Sequence, residues 1–300
     1  MEKPYLLHFA TPGTRVSPFD VNMAYDAGWN AVIPYSGVGL EDIAGFTQDA
    51  IFSRGPKGAK RTGIFIGGRD PMLAAGMLDA ARKAMVPPFE VSVFADPSGA
   101  FTTAAAMIAA VEKALAGTQG STLAGRRVTV FGGTGPVGMI AAVLAAQAGA
   151  EVTIPGHDGL FRAQSAAETI QARFGVTVSP IDASSDDAKT ALIADTEIAL
   201  ATAKAGIQVL GPSHLAHAAR LMVAADINAV PPAGIEGIGV MDDGKPLAAA
   251  SGHAVGIGPL AIGNIKYKVQ QGLLQAMLRT DSPLYLGFAD CLREARLHAA

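Results

Sequence analysis

The chain holds one cysteine in 300 residues. An internal disulfide is therefore excluded, and a reducing compartment, the cytoplasm by default, is the expectation. Charged residues make up only 16% and the formal net charge is -3, which leaves no basic footprint for nucleic acid. The first residues, Met1-Glu-Lys-Pro, lead into a short strand-like segment and carry no pattern of a secretory signal. Glycine, proline or charge interrupts the apolar runs before they reach a membrane-spanning length, so no membrane partner is expected. The six histidines are scattered. His214 and His217 alone lie close together, with no acidic or cysteine companion, so no metal site is expected. No G-x-S-x-G elbow occurs, and Cys291 lies in a late helical pattern without an obvious base, so nucleophilic catalysis has no support.

What the chain has in plenty is apolar residues, at 50%, and 35 glycines. That composition supplies a sizeable core, and the length suits one large domain or two ordinary ones. Residues 5–9, 30–34, 63–67 and 91–95 read as strands. Between them lie helical patterns at 18–27, 41–51 and 70–85. Ser17 precedes a proline as an N-cap candidate, and Asp70-Pro71 reads as an N-cap followed by the first helical residue. A longer helical pattern covers 101–116, and the polar, glycine-bearing link 117–125 follows. Strands are then expected at 127–131, 151–154, 176–180, 198–201 and 221–225, with helices between them, including 162–173 and 186–193. Two late helices, 265–278 and 284–299, come after the nucleotide-fold pattern is complete. The expected fold is α/β: an N-terminal βα domain, then a Rossmann-type doubly wound parallel sheet, with C-terminal helices packing back on the N-terminal domain. The boundaries are 1–120, completed by 264–300, and 121–263.

The clearest motif is Phe131-Gly-Gly-Thr-Gly-Pro-Val-Gly138. Gly133, Gly135 and Gly138 fall on the G-x-G-x-x-G spacing, between an apolar β-branched strand and an alanine-rich helix. Gly133 is expected to allow the turn and Gly135 to let a pyrophosphate approach. Gly138 is expected to let the helix lie close on the sheet. With Thr134, Pro136 and Val137 they would form a helix N-terminus suited to phosphate. An ordinary βαβ turn has the same outline, but the following strand at 150–154 completes the context that the motif needs. Ligands of open α/β sheets bind beyond the carboxyl ends of strands. Further cofactor candidates are therefore His157 and Asp158 after the second strand, Ala203 after the fourth and Asn228 after the fifth. Asp158 suits a ribose hydroxyl, whereas His157 or the nearby Arg162 suits a 2′-phosphate, so NAD and NADP both remain open. In the first domain the strand ends offer Ser17-Pro-Phe-Asp20, Tyr35-Ser-Gly37, Gly67-Gly-Arg-Asp70 and Asp96-Pro-Ser-Gly-Ala-Phe-Thr-Thr103.

Several stretches carry a family resemblance: 17–28, 61–68, 93–103, 132–138, Asn228-Ala-Val-Pro-Pro-Ala-Gly-Ile235, and Gly256-Ile-Gly258 through Gly263-Asn-Ile-Lys266. Together, over essentially the whole chain, they resemble the NAD(P)-dependent methylene-tetrahydromethanopterin dehydrogenases of methylotrophic bacteria. The likeness is greater to the branch that is restricted to tetrahydromethanopterin and uses NAD or NADP. The NADP-specific branch, which also takes tetrahydrofolate, carries an arginine near the second-strand end, where this chain has Gly156-His157-Asp158. The resemblance implies hydride transfer from an N–CH2–N bridge to the nicotinamide, in one-carbon metabolism, with no general acid or base. It implies a tetrahydromethanopterin-type carrier in an interdomain cleft, against Phe19, Asp20, Asp96, Ser98, Thr102, Thr103 and Lys266. Asp20 and Lys266 would act at the reacting centre, and Lys266 would fix a ligand oxygen. It also implies a homo-oligomer. A methylene-tetrahydrofolate dehydrogenase and a non-catalytic nucleotide-binding regulator are the alternatives.

Overall fold

A computed structural model describes residues 3–299, with Gln119 described by its backbone alone. The chain runs β1 (Leu6–Thr11), α1 (Pro18–Ala27), β2 (Ala31–Ser36), α2 (Ile43–Phe52), α3 (Gly55–Ala59), β3 (Thr62–Ile66), α4 (Pro71–Lys83), β4 (Ser92–Ala95). A 3-10 turn, Pro97–Gly99, then leads into α5 (Ala100–Gln119). Next come β5 (Arg127–Phe131), α6 (Pro136–Gln147), β6 (Glu151–Gly156), α7 (Leu160–Phe174), β7 (Ser179–Asp182), α8 (Asp186–Asp195) and β8 (Ile198–Ala201). The chain ends with α9 (Pro212–Leu215), β9 (Val223–Asp226), β10 (Asp243–Pro246), β11 (Val255–Ile257), α10 (Pro259–Arg279), β12 (Tyr285–Leu286) and α11 (Phe288–Ala299). It divides into two compact units, Met1–Thr102 with Tyr267–Ala295, and Thr103–Lys266 with Arg296–Ala300.

The first unit has a parallel sheet in the order β2-β1-β3-β4-β12. This is the doubly wound order whose direction reverses between β1 and β3, where a crevice opens beyond the strand ends. Phe9, Phe65 and Phe94 stand opposite one another in the register of β1, β3 and β4. Their rings meet edge-on with centroids 4.7 and 5.3 Å apart. All three are buried, each worth about 1.5–3 kcal/mol in apolar transfer. Both expected N-caps are made. Ser17 Oγ accepts from the Asp20 N–H at 3.3 Å, and Asp70 Oδ1 accepts from the Met72 and Leu73 N–H groups at 2.8 and 3.1 Å.

The C-terminal segment does return to this unit, but not as helix throughout. The expected helix over 284–299 is corrected: Tyr285–Leu286 is an edge strand paired with Val93 and Phe94, and the helix starts at Phe288. Pro283 and Gly287 flank those two residues and break the helical pattern there.

The second unit has a sheet in the order β7-β6-β5-β8-β9-β11-β10, parallel except for the β10 edge. Apart from that edge strand this is the Rossmann order, with its switch point between β5 and β8. The last two strands had no expectation. β11 is three residues long and β10 is Asp-Gly-Lys-Pro, too short and too polar for periodicity to register. The 117–125 link is shorter than expected, because α5 runs through Gly117 to Gln119.

One further expectation is corrected. Among the described residues, the stretch Pro97–Thr118 is long and apolar enough, by composition, to cross a membrane. Its most apolar window is 78% buried inside the protein, so that surface is already covered.

Candidate active site

In the second unit, β5 feeds a glycine turn and then α6. The residue with the left-handed backbone is Gly132 (φ +82°), not Gly133. A Cβ at Gly132 would lie 2.6 Å from the Ala203 backbone nitrogen, so the turn is wedged against the chain leaving β8. Thr202 secures that juncture, its N–H and Oγ1 both donating to the Phe131 carbonyl at 2.8 and 2.9 Å. Gly133 instead packs on Ile154 of β6, where a Cβ would approach to 2.8 Å. Gly138 behaves as expected: a Cβ there would meet the Gly132 carbonyl at 2.4 Å, so its bareness lets α6 close on the turn. Gly135, the N-cap of α6, is different. A Cβ there would meet only the Gly132 oxygen, at 3.3 Å, and otherwise open space. Thr134 and Gly135 form the turn, and Pro136, Val137 and Gly138 the first helical residues. The first N–H groups of a helix have no partner within it.

Beyond β6 the chain bends sharply through Gly156 and Gly159. His157 and Asp158 both reach solvent, their nearest side-chain atoms 3.9 Å apart. Asp158 also pairs with Arg162 at 3.3 Å, one turn into α7. Arg162 lines a cavity of about 240 Å³ with Thr134 and Met139 from the glycine turn and α6, and Phe161, Ser165 and Thr169 from α7. The acid and the base that would choose between a ribose hydroxyl and a 2′-phosphate are thus in contact with each other.

Asn228, after β9, is buried and its side chain is engaged. Its Oδ1 accepts from the Gly206 and Val230 N–H groups, and its Nδ2 donates to the Pro232 carbonyl at 2.7 Å. Asp226 braces the same loop, accepting from the N–H groups of Asn228, Gly234 and Ile235. Burial raises the Asp226 carboxyl above its ordinary range, against the pull of those three bonds. Asn228 therefore shapes the loop, and its amide is not turned outward to a ligand.

In the first unit, a cavity of about 950 Å³ opens beyond the ends of β1 and β3, at that sheet's switch point. Its walls come from the 11–18 loop, from Gly68, Arg69 and Asp70, and from Asp20 and Ser98. Asp20 is buried, and Gln270 of α10 donates to its Oδ1 at 2.6 Å. Ser98 has φ 51°, the one left-handed non-glycine backbone among the described residues, and its Oγ donates to the Gly68 carbonyl at 2.7 Å. Such backbone strain concentrates at ligand sites.

The remaining expectations divide. Asp96 and Thr102 do not face this cavity. Both are fully buried, the Asp96 carboxylate accepts from the N–H groups of Phe101 and Thr102, and its other oxygen takes the Thr102 hydroxyl at 2.6 Å. They pin the start of α5, which corrects their assignment as ligand contacts. Phe19 is half exposed on the first turn of α1, outside the cavity wall. Thr103 lies on α5 and Lys266 on α10, both assigned to the second unit and partly buried, while Lys268 is exposed. Cys291 is fully buried and burial pushes its thiol well up, so it is no nucleophile.

Sequence reasoning missed Gly132, Gln270 and Arg15 as site residues. Gly132 precedes the spaced glycines and was masked by them, and Arg15 sits in a loop without a motif. Gln270 carries no local signal.

Comparison with known proteins brings these features together. Residues 18–98 match a family described as methylene-tetrahydromethanopterin dehydrogenase, N-terminal. The chain is 48% identical, over 97% of its length and 97% of the relative's, to the NAD(P)-dependent methylenetetrahydromethanopterin dehydrogenase of Methylorubrum extorquens. It is 32% identical, over 95% and 96%, to the bifunctional protein MdtA of the same organism. Among solved structures it resembles quinate dehydrogenase from Corynebacterium glutamicum, in complex with NAD, at TM-score 0.52 and 15% identity over 97% and 98% of the chains. Shikimate 5-dehydrogenase from Listeria monocytogenes, in complex with shikimate and NAD, matches at 0.53 and 13% over 91% and 92%. Those two likenesses concern the fold. With a dinucleotide-type turn in one unit, a switch-point cavity in the other and near-complete coverage of a relative at 48% identity, the chain belongs to the NAD(P)-dependent methylenetetrahydromethanopterin dehydrogenase family.

Proposed function

We propose that this chain oxidises the N–CH2–N bridge of methylene-tetrahydromethanopterin to the methenyl amidinium, passing a hydride to NAD+ or NADP+. The observation that carries it is the first unit's switch-point cavity with the buried Asp20 at its wall, in a chain that also holds a built dinucleotide turn. The pterin is assigned to residues 1–120, completed by 264–300, and the dinucleotide to 121–263.

The turn suits a dinucleotide, because Gly135 is the one of its glycines whose Cβ position has no protein atom within 3 Å, leaving room that a side chain would otherwise take from a pyrophosphate. Gly133, Thr134, Gly135, Pro136, Val137 and Gly138 would hold the phosphates, and Asp158, His157 and Arg162 the adenosine ribose. Ala203 would stand as the wall behind the turn. When bound, the nicotinamide supplies the hydride acceptor at its C4.

The protein's own residues need move no proton. The two nitrogens flanking the reacting carbon stabilise the cation, so the protein's task is orientation within about 3–3.5 Å. Asp20 accepts from pterin N–H donors, and its negative charge favours the forming amidinium. Gln270 holds that carboxylate in place. Lys266 binds a ligand oxygen, since an ammonium against the reacting carbon would oppose the cation. A homo-oligomer in the cytoplasm is the proposed setting.

The test is absorbance near about 340 nm, the reduced nicotinamide band, on mixing protein, methylene-tetrahydromethanopterin and either dinucleotide. Growth of that band with the pterin carrier is expected. Growth only with methylene-tetrahydrofolate would move the substrate assignment, and no signal with either carrier would sink the enzymatic reading.

A further inference from the structure

The sequence has 13 arginines. Eleven of them are engaged by a carboxylate, a carbonyl, a side-chain hydroxyl or amide, or an aromatic ring. Arg54, for example, donates to the Pro4 and Arg61 carbonyls, Arg126 pairs with Glu197, and Arg82 and Arg173 lie over rings. The two exceptions among the described residues are Arg15 and Arg69, which have no hydrogen bond, ion pair or ring contact. They are far apart in sequence, yet both line the cavity of about 950 Å³ beyond β1 and β3. Arg15 follows β1 and Arg69 follows β3, so the switch point of the sheet brings them to one opening. Both are exposed, whereas Asp20 on the same wall is buried. The cavity therefore has the Asp20 carboxylate at a buried wall and two guanidiniums without ion pairs at exposed ones, where the other charged group, Asp70, is taken up as the cap of α4.

We infer that Arg15 and Arg69 bind an anionic group, carboxylate or phosphate, carried by the one-carbon carrier at the end away from its pterin ring. This rests on the reading that the cavity takes that carrier. A guanidinium presents a planar fork of N–H donors that matches both anions. Two such forks line one space, and the exposed carboxylate beside them, Asp70, is turned to the Met72 and Leu73 N–H groups and pairs with neither arginine, so an anion supplies the partner that the protein does not. The arrangement also fixes polarity: ring N–H donors go to Asp20 and the anion goes to the arginines. A carrier that entered reversed would place its anion against a buried carboxylate.

Calorimetric titration of methylene-tetrahydromethanopterin into wild type, Arg15→Ala, Arg69→Ala and the double variant tests this without requiring turnover. Each single variant is expected to weaken carrier binding about tenfold, with NAD+ and NADP+ affinities held within about twofold. Added salt is expected to weaken carrier binding to wild type and to have little effect on the double variant. Carrier affinity unchanged in the double variant overturns the inference. A loss as large or larger for the dinucleotides also overturns it, because the anion then belongs to a dinucleotide phosphate. A wild type that binds the carrier but transfers no hydride would fail the proposed reaction and leave this assignment standing.

Discussion

Gln270 donates its side-chain amide N–H to Asp20 Oδ1 across 2.6 Å, joining residues 250 positions apart within the first unit. Both are buried, so the bond is made in a poorly solvated place where its loss is felt. Gln270→Leu is expected to lower stability by about 1–3 kcal/mol, because it strips a partner from a buried carboxylate. It should also raise KM for the methylene carrier. Thermal melts together with steady-state kinetics check both, and a variant as stable as wild type would remove the holding role of Gln270.

The glycines of the turn separate fold from binding. Gly132→Ala combines a left-handed backbone with a Cβ 2.6 Å from the Ala203 nitrogen, so a loss of about 2–5 kcal/mol is expected. A Cβ at Gly135 meets one protein atom, the Gly132 oxygen at 3.3 Å, a tight approach but a milder one than the 2.6 Å clash at Gly132, so Gly135→Val is expected to fold while its side chain fills the space left for a pyrophosphate. Dinucleotide affinity should then fall at least about tenfold. Melting temperatures and dinucleotide titrations of the two variants would check this, and equal behaviour of the pair would refute it.

Asp158 and Arg162 hold each other at 3.3 Å on the surface of the second unit. Asp158→Ala removes the acid suited to a ribose hydroxyl and releases Arg162 toward a 2′-phosphate. The ratio of kcat/KM for NADP+ to that for NAD+ is expected to rise about tenfold. An unchanged ratio would show that cofactor choice is made elsewhere.

His214 gives a pH dependence. Burial, then Lys189, holds its imidazole below the ordinary value of 6.5, outweighing Asp186. Its Nδ1 accepts from the Gly211 N–H at 3.1 Å, which requires the neutral ring. The unfolded chain therefore takes the proton more readily than the folded one. The stability from His214 is complete above 6.5 and declines as pH falls through the lowered folded value. His8, lowered by burial and then Arg54, acts in the same direction. In urea melts between about pH 7.5 and pH 5, wild type should lose more stability than His214→Asn, whose side-chain oxygen still accepts without charging. Parallel curves would remove His214 from the account.

The candidate site was legible where local chemistry carries the signal. Ser17 and Asp70 announce helix starts because a side-chain oxygen beside a proline is the local solution to unpaired N–H groups. The spaced glycines announce a turn. Asp96, by contrast, stood at a strand end like any ligand contact, and nothing local distinguishes an aspartate facing a cavity from one folded back on the next helix. Asn228 misled for the same reason: both ends of its amide are claimed by its own loop.

By itself the sequence determined the βα alternation, the parallel sheets it implies, the glycine turn and the family, because periodicity, capping and motif spacing act over a few residues at a time. The tertiary structure alone decided that residues 285–286 pair with a strand nearly two hundred residues earlier, that Gln270 meets Asp20, and that Arg15 and Arg69 share one opening. Those relations follow from the order in which strands are laid side by side. Strand order brings distant positions together without leaving a trace in the residues around any of them.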